Sequence, residues 1–593
     1  MLVYGDLERC EDPRRRIALI TDGLGGVDTA QQPLERHGAL VTLFIAAAEL
    51  AQGLADREFE SSGEDDRTAV QDAAMAVVMT FARRVATSWA SLASAGTAAI
   101  DPVEPVREAL ERLSALPLPA TVRMRRAEGY AFYSLYPEAY LESARRLPSR
   151  IAERAVVIGL RSIGTGLAAM AAVALDAGPP VTLRPTGHPF RRELRVSPRL
   201  RAELLADRTA AYVIVDEGPG LSGSSFGAVA DWLEAQGVPA DRIAFLPGHG
   251  GDLGPQASER HRRRWAAARR PVVPFDALAL GPDGPVPPLE RWFEDRLGPP
   301  LTPLRDLSGG GWRAMRSDEP AAWPPTHPQQ ERRKFLLRTA SGSWLLKFVG
   351  LGQAGTDALV RARALFEAGF TAEPMALRHG ILAERWLEGA RPLTETTTDA
   401  IDRLAGYLAF RARSFPAPPA SGAGLSDLLA MARTNIAEAL GEAATMPLER
   451  WTPERLDRLA AGVRRVVTDN RLHRWEWLRL PDGRLLKTDA LDHAAAHDLI
   501  GCQDIAWDVA GAIVEWELSA QQAAALCEAV GRATPLDRRL VAFCLPCYLA
   551  FQIGYWSFAA AFDAGAAAWR DRCVARWRRW AAEAGDTPGP VID

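Results

Sequence analysis

Lysine is almost missing from this chain. Of 70 basic residues among 593, only Lys334, Lys347 and Lys487 are lysine, so arginine fills every generic surface role. A compact ammonium and a planar guanidinium act differently at a phosphate, so each of the three lysines asks for a reason. Net charge is scarce too, formally −4, which excludes the strongly basic surface that nucleic acid or an anionic membrane would require. Cysteine is sparse and scattered: Cys10, Cys502, Cys527, Cys544, Cys547 and Cys573 form neither a disulfide framework nor paired zinc spacing. A reducing cytoplasm is the expected compartment. Cys544-Leu-Pro-Cys547 has redox spacing but lies in an apolar helical run, and reads as core. No secretory leader is expected, because charge begins at Asp6. One uncharged run, residues 540–562, is long enough to cross a bilayer. Pro546, Gln552, Gly554 and Ser557 interrupt it, and a buried helical hairpin is expected instead. The expected partners are therefore small molecules, with no nucleic acid and no membrane; a homo-oligomer stays open.

A chain of this length holds two or three domains. Residues 1–118 read as a mostly helical extension, with apolar residues at three/four spacing over 40–56 and 68–92 and a short strand over 17–24. No chemistry stands out there. The next domain is organised around residues 213–226, V-I-V-D-E-G-P-G-L-S-G-S-S-F. A β-branched run predicts a buried parallel strand. It ends in Asp216 and Glu217, then a small-residue loop with Ser222, Gly223, Ser224 and Ser225, then an apolar-periodic helix. Backbone N–H groups and hydroxyls at such a helix start favour a phosphate. The two carboxylates, one step earlier, are placed for a sugar's vicinal hydroxyls.

This stretch resembles the diphosphoribose-binding signature of type I phosphoribosyltransferases, with four residues between acids and loop where that family usually has three. The resemblance implies that Asp216 and Glu217 act on the ribose and that Ser222–Ser225 cradle the 5-phosphate. A second strand over 155–160 breaks into Arg161-Ser-Ile-Gly-Thr-Gly166, where the family binds pyrophosphate through Arg161, Ser162 and Gly164. Residues 181–194, with Arg184, His188, Arg191 and Arg192, correspond to a mobile basic lid or an ordinary solvated loop. The run Glu128-Gly-Tyr-Ala-Phe-Tyr-Ser-Leu-Tyr136 either lines a pocket or packs. His249, ending a further strand, contacts a base or sits in a turn. Residues 281–303 are rich in proline and glycine and read as a linker.

The second half restarts with a hairpin, 333–338 and 343–349 turning at Ser341-Gly342, with Lys347 in its second strand. A helix over 357–369 with Asp357 as its cap offers Glu367. Residues 380–389 read as strand, acid (Glu384) and turn. This succession resembles the small lobe of aminoglycoside-phosphotransferase-like kinases, which implies that Lys347, oriented by Glu367, meets nucleotide phosphates, and that Glu384 marks the hinge. Residues 478–489 look like that family's hairpin ending in its metal-binding aspartate, here Asp489. Gly501-Cys-Gln-Asp-Ile-Ala-Trp-Asp-Val-Ala510 matches its Gly-x-x-Asp-x-Ala-x-Asp-Leu-Ala segment, in which Asp508 would brace the catalytic loop. The catalytic loop itself departs. On the alignment of Leu472-His473, Arg471 stands where the family has its catalytic aspartate and Glu476 where it has asparagine, which leaves Asp469 as the candidate base. His493 and His497, at i and i+4, form a candidate metal pair with Asp489, Asp492 and Asp498.

The expected architecture is a helical extension (1–118), an α/β phosphoribosyltransferase-like domain (119–285), a linker (286–304) and an α+β bilobal kinase-like domain (305–593, small lobe to 392). The expected function is a bifunctional small-molecule transferase. Phosphoribosyl transfer or its reverse would occupy the first domain and ATP-dependent phosphorylation the second, with Mg²⁺, phosphoribosyl diphosphate and ATP as cofactor and co-substrates. The alternative is a regulator that binds these ligands without turnover.

Overall fold

A computed structural model describes residues 8–30, 32–93, 103–281, 284–496 and 498–586. The chain begins with a helical layer: α1 (Pro13–Thr29), α2 (Pro33–Ser62), α3 (Ala69–Ala93) and α4 (Glu104–Ser114). The strand expected over 17–24 lies inside α1. Asp12 accepts the Arg14 N–H at 2.8 Å and Pro13 takes the first helical position, a start signal that outweighs a short β-prone run. Ile17, Ile20, Leu24 and Val27 then fall on one buried face.

Against this layer lies a four-stranded parallel sheet built from β1 (Ala155–Leu160), β2 (Val181–Leu183), β3 (Ala211–Val215) and β4 (Ile243–Leu246), in the order β2-β1-β3-β4. The helix after β1, Gly164–Ala174, is almost wholly buried between sheet and bundle. Gly159 makes the close approach possible, since a Cβ there would sit 2.3 Å from the Gly164 carbonyl oxygen. The expected parallel strands are thus present; the sheet by itself does not identify a phosphoribosyltransferase.

The proline-rich segment is not a free linker. Leu289, Trp292, Phe293 and Leu297 are buried, and Arg378 donates to the Trp292 carbonyl at 2.5 Å and to Asp295 at 2.8 Å. Four aromatic or branched side chains within nine residues gave this strap something to bury, which its proline content obscured.

The second half is bilobal. Its small lobe is an antiparallel sheet of β5 (Arg305–Asp306), β6 (Lys334–Thr339), β7 (Gly342–Phe348), β8 (Pro374–Arg378) and β9 (Ile381–Arg385), in the order β8-β9-β7-β6-β5. Helix α5 (Gly352–Glu367) packs on it and starts earlier than expected, so Asp357 lies within the helix rather than at its cap. The large lobe is helical: Thr398–Ser414, Leu425–Leu440, Ile505–Glu515, Arg538–Ala559 and Ala564–Asp586, with a hairpin of Trp477–Arg479 and Leu485–Lys487 at the cleft. Arg538–Ala559 and Pro33–Ser62 are each long and apolar enough to cross a membrane, but 83% and 72% of their apolar windows are buried in the protein. Cys544 and Cys547 are buried within the first of these.

One apolar core joins the helical layer to the small lobe. Phe335, Leu337, Trp344, Leu346, Phe348, Ile381 and Ala383 belong to the same cluster as Phe44, Phe81 and Leu167. Beside it, buried Glu138 accepts from His37 Nε2 at 2.8 Å and lies 3.6 Å from His379 Nε2, while Tyr136 Oη donates to the His379 carbonyl at 2.9 Å.

Candidate functional site

Strand β7 alternates. Trp344, Leu346 and Phe348 face the shared core, while Leu345 and Lys347 face the cleft between the lobes. That cleft is a cavity of about 330 Å³, and all three lysines of the chain line it. Lys347 is buried and ion-paired with Asp489 from the opposite lobe, with Asp492 at 3.6 Å. Burial opposes its charge, but the two carboxylates prevail and hold the ammonium above its ordinary value. Asp489 is correspondingly driven well below the usual range, and Asp492 to about 2, against burial, by Arg332 and Lys347. Lys334 Nζ donates to Glu331 at 3.0 Å; Lys487 Nζ donates to Glu476 at 2.8 Å and lies 3.6 Å from Asp469. Glu384 shares the cleft face of the sheet, paired across with Leu345. Burial lifts its carboxyl to about 7, with Lys347 pulling the other way.

Glu367 is not the partner of Lys347. It ends α5 exposed to solvent, and the acids at Lys347 come from the large lobe instead. Which way a helix's last turn faces depends on the register at which the helix packs on its sheet, and sequence does not supply that register.

The catalytic-loop segment is held as the sequence suggested. Asp508 accepts the Asp469 N–H at 2.7 Å and the Asn470 N–H at 2.9 Å, so Asp508 braces the loop. Asp469, however, is completely buried and does not line the cavity. Its carboxylate is held by Tyr407, His493 Nδ1 at 3.2 Å, Lys487 and Arg411, and of these Lys487, His493 and Arg411 keep it far below its ordinary value despite burial. It cannot reach a substrate hydroxyl and is not the base that the sequence suggested. Arg471 lines the cavity in its stead. Of the i, i+4 histidine pair, His493 lies in a single tight turn, His493–Ala495, and His497 lies outside the described residues.

A magnesium ion takes oxygen ligands. Asp489, Asp492 and His493 each offer an atom within 4.8 Å of one another. The two carboxylates fit such an ion. His493 offers nitrogen rather than oxygen; Asp489 and Asp469 outweigh its burial and raise its imidazole to about 9.

Residues that sequence reasoning missed come mainly from two loops. Residues 312–332 contribute Trp312, Arg316, His327 and Gln330, and Phe132–Ser134 reaches in from the first half, its Phe132 ring 4.7 Å under the Arg332 guanidinium. Of the aromatic run over 128–136, Phe132 and Tyr133 line this pocket, while Tyr130 and Tyr136 are buried in the core. The run's density of tyrosine was the only signal.

The upstream loop is differently arranged. Asp216 ends β3, accepts the Glu217 N–H at 2.9 Å and is raised by burial to about 7. Glu217 accepts the Gly129 N–H at 3.1 Å. Gly223 starts the next helix, Ser224–Ala235, but Ser224 Oγ donates to the Pro189 carbonyl at 2.6 Å and Ser222 Oγ to the same oxygen at 3.4 Å. Pro189 is the tip of the hairpin Thr186–His188 and Arg191–Glu193, so this basic segment is seated on the serine loop. Ser225 is half-buried beside it, and Arg191 is exposed. Arg161 is not free for pyrophosphate: its guanidinium is buried and bonded to Asp56 and Asp65, while Arg184 chelates Asp56. Ser162 accepts the Thr165 N–H through its carbonyl, and Gly164 packs on β3, where a Cβ would meet the Val215 oxygen at 2.7 Å. His249 is exposed in a turn, accepting the Gly251 N–H at 3.2 Å.

No protein-family model matches the chain, and no curated protein matches it in sequence. Among solved structures, choline kinase LicA from Streptococcus pneumoniae is similar over 43% of this chain and 90% of its own, at 19% identity and TM-score 0.30. A choline/ethanolamine kinase family protein from Mesorhizobium loti is similar over 42% and 89%, at 18% and 0.27. A thermostable mutant of aminoglycoside phosphotransferase APH(4)-Ia is similar over 49% and 99%, at 16% and 0.29. At these scores none of the likenesses says what this chain does.

Proposed function

We propose that the second half is a small-molecule phosphotransferase that binds a nucleoside triphosphate with Mg²⁺ in the interlobe cleft. The observation that carries this reading is the convergence of all three lysines of the chain on one cavity, with Lys347 paired across it to Asp489. A chain that uses arginine everywhere else keeps point charges where compact, strongly hydrated cations suit a polyphosphate. Lys347 would bind phosphate oxygens, and Asp489 and Asp492 would hold the cation, which when bound would neutralise charge on the phosphates. The Lys347–Asp489 pair keeps both groups ionised before any ligand arrives, and it would open for a phosphate and its cation to come between them. Thermal unfolding with ATP and Mg²⁺ tests this. At ligand about a hundredfold above Kd, linkage gives roughly 2.7 kcal/mol of stabilisation, and no shift in Tm at any ATP concentration would remove the reading.

A second reading concerns the first half: binding of a phosphoribosyl ligand, as in the phosphoribosyltransferases that residues 213–226 resemble. What favours it is Asp216, a strand-end carboxyl with no cation within ion-pair distance among the described residues. The serine loop would have to shed the Pro189 hairpin first. Transfer chemistry is less favoured than binding, because Arg161 is committed to Asp56 and Asp65. Calorimetry with phosphoribosyl diphosphate and Mg²⁺ decides it: Asp216→Asn with Glu217→Gln should abolish binding, and unchanged affinity would refute the assignment.

A further inference from the structure

If the cleft is a phosphotransferase site, its acceptor cannot be activated in the ordinary way, since the one acid placed as a base, Asp469, is sealed off. The other carboxylates lining the cavity are largely committed. Glu331 receives Lys334 at 3.0 Å, Trp312 Nε1 at 2.6 Å and the Gly310 N–H at 2.6 Å. Glu476 receives Lys487, and Asp489 and Asp492 face Lys347. Glu384 belongs to the small-lobe sheet, whereas the loop that would present a base belongs to the large lobe. At the base's own position stands Arg471.

Arg471 has no carboxylate within ion-pair distance among the described residues. Its contacts are Gln330 Oε1 at 3.3 Å and the Tyr555 ring, 4.6 Å from the guanidinium carbon to the centroid. Next to it lies His327, only 6% exposed, its ring 4.9 Å from that of Tyr555. Neither His327 ring nitrogen hydrogen-bonds to another residue. Burial, with Arg471 second, depresses its imidazole to about 4, so it is neutral and offers one donor and one acceptor. Thr326 and Arg313 fasten this loop to Asp563 at 3.1 and 2.9 Å, so the groups are held in place. A buried donor left unpaired costs free energy, and here an unpaired imidazole stands beside a cation that no carboxylate pairs, in the same wall of a cavity.

We infer that Arg471, His327 and Gln330 form an acceptor subsite for a small oxyanion, a phosphate monoester or a carboxylate, which this site phosphorylates without a general base. The inference rests on the nucleotide reading above. A hydroxyl acceptor must lose a proton and so needs a base; an oxyanion arrives deprotonated, and a guanidinium is suited to bind it through paired N–H donors. In the step, an acceptor oxygen attacks the γ-phosphorus of the nucleoside triphosphate and forms a new O–P bond. The bond from that phosphorus to the β,γ-bridging oxygen breaks, and its electron pair leaves with the nucleoside diphosphate. No proton has to move.

The test uses the full chain with Mg²⁺ and a non-hydrolysable ATP analogue, titrated calorimetrically with ribose 5-phosphate, inorganic phosphate, succinate and neutral ribose. At least one oxyanion should bind with Kd near or below about 1 mM, and ribose should not. The phosphate and succinate arms distinguish the two sources of charge. Arg471→Gln should weaken that oxyanion roughly tenfold or more while the analogue still binds, and His327→Phe should weaken it by less. With ATP, label from the γ-phosphate should pass to the oxyanion that binds. If the analogue binds but no oxyanion does, or if Arg471→Gln binds it as wild type does, the acceptor inference is overturned and the nucleotide reading stands. If the analogue itself fails to bind, both fall.

Discussion

Lys347 and Asp489 meet across the cleft, the lysine side chain 4% exposed and the aspartate 31%. Such a pair contributes modestly to stability while intact, and removing Lys347 leaves Asp489 charged but in part solvated, so the loss falls below the roughly 3–5 kcal/mol of a fully buried pair. Lys347→Ala is therefore compared with Lys347→Met, which preserves packing. Asp216 offers a pH test at the same scale. Burial lifts its carboxyl to about 7, above its value in the unfolded chain. A raised acid supports the fold at low pH, and that support is lost as pH climbs from about 4 through 7. Asp216→Asn does not titrate, so the variant should gain on wild type across that window. At pH 8 the gain should be on the order of 1–2 kcal/mol after discounting for partial exposure. Denaturant unfolding at pH 5 and pH 8 measures it; an equal difference at both would show that Asp216 titrates normally.

At the scale of elements, the catalytic-loop segment depends on one side chain in the helix Ile505–Glu515. Asp508 receives two backbone N–H groups from a fully buried turn. Asp508→Ala orphans both, at about 1–3 kcal/mol each, and should lower stability while increasing proteolysis near residues 468–472. A wild-type cleavage pattern would show that the loop holds itself. This bracing was legible in sequence because it travels with a short spacing, Asp504 to Asp508, set by one helix. The hairpin carrying Lys347 was legible too, since alternation along β7 separates Lys347 and Leu345 from Trp344, Leu346 and Phe348. Glu367 and Asp469 were not. Their roles depend on which way a helix end or loop faces in three dimensions, and no period encodes that. Arg161 failed for a related reason: its partners Asp56 and Asp65 lie about a hundred residues away in another layer.

Across the whole molecule, the boundary drawn near residue 305 cuts through a core. The inner face of the small-lobe sheet is covered by the helical layer, and His37, Glu138 and His379 join three distant segments in a buried cluster. Residues 305–593 expressed alone should expose that face and aggregate or melt well below the full chain; a soluble fragment of equal Tm would contradict the shared core. Glu138→Ala should cost about 1–3 kcal/mol, because it strips the buried His37 imidazole of its hydrogen-bond partner. The same union brings Phe132–Ser134 from the first half into the second half's cavity, so the site is incomplete without both.

The nucleotide claim is reached most directly by isothermal titration of the full chain with ATP and Mg²⁺, wild type beside Lys347→Ala, Lys347→Met and Lys347→Arg. Wild type should bind one ATP per chain. The alanine and methionine variants should lose at least about tenfold in affinity, and arginine most of that, because its fork does not replace a point charge. Folded variants that bind ATP as tightly as wild type would contradict the account, and would leave the cleft a kinase-like shape put to another use.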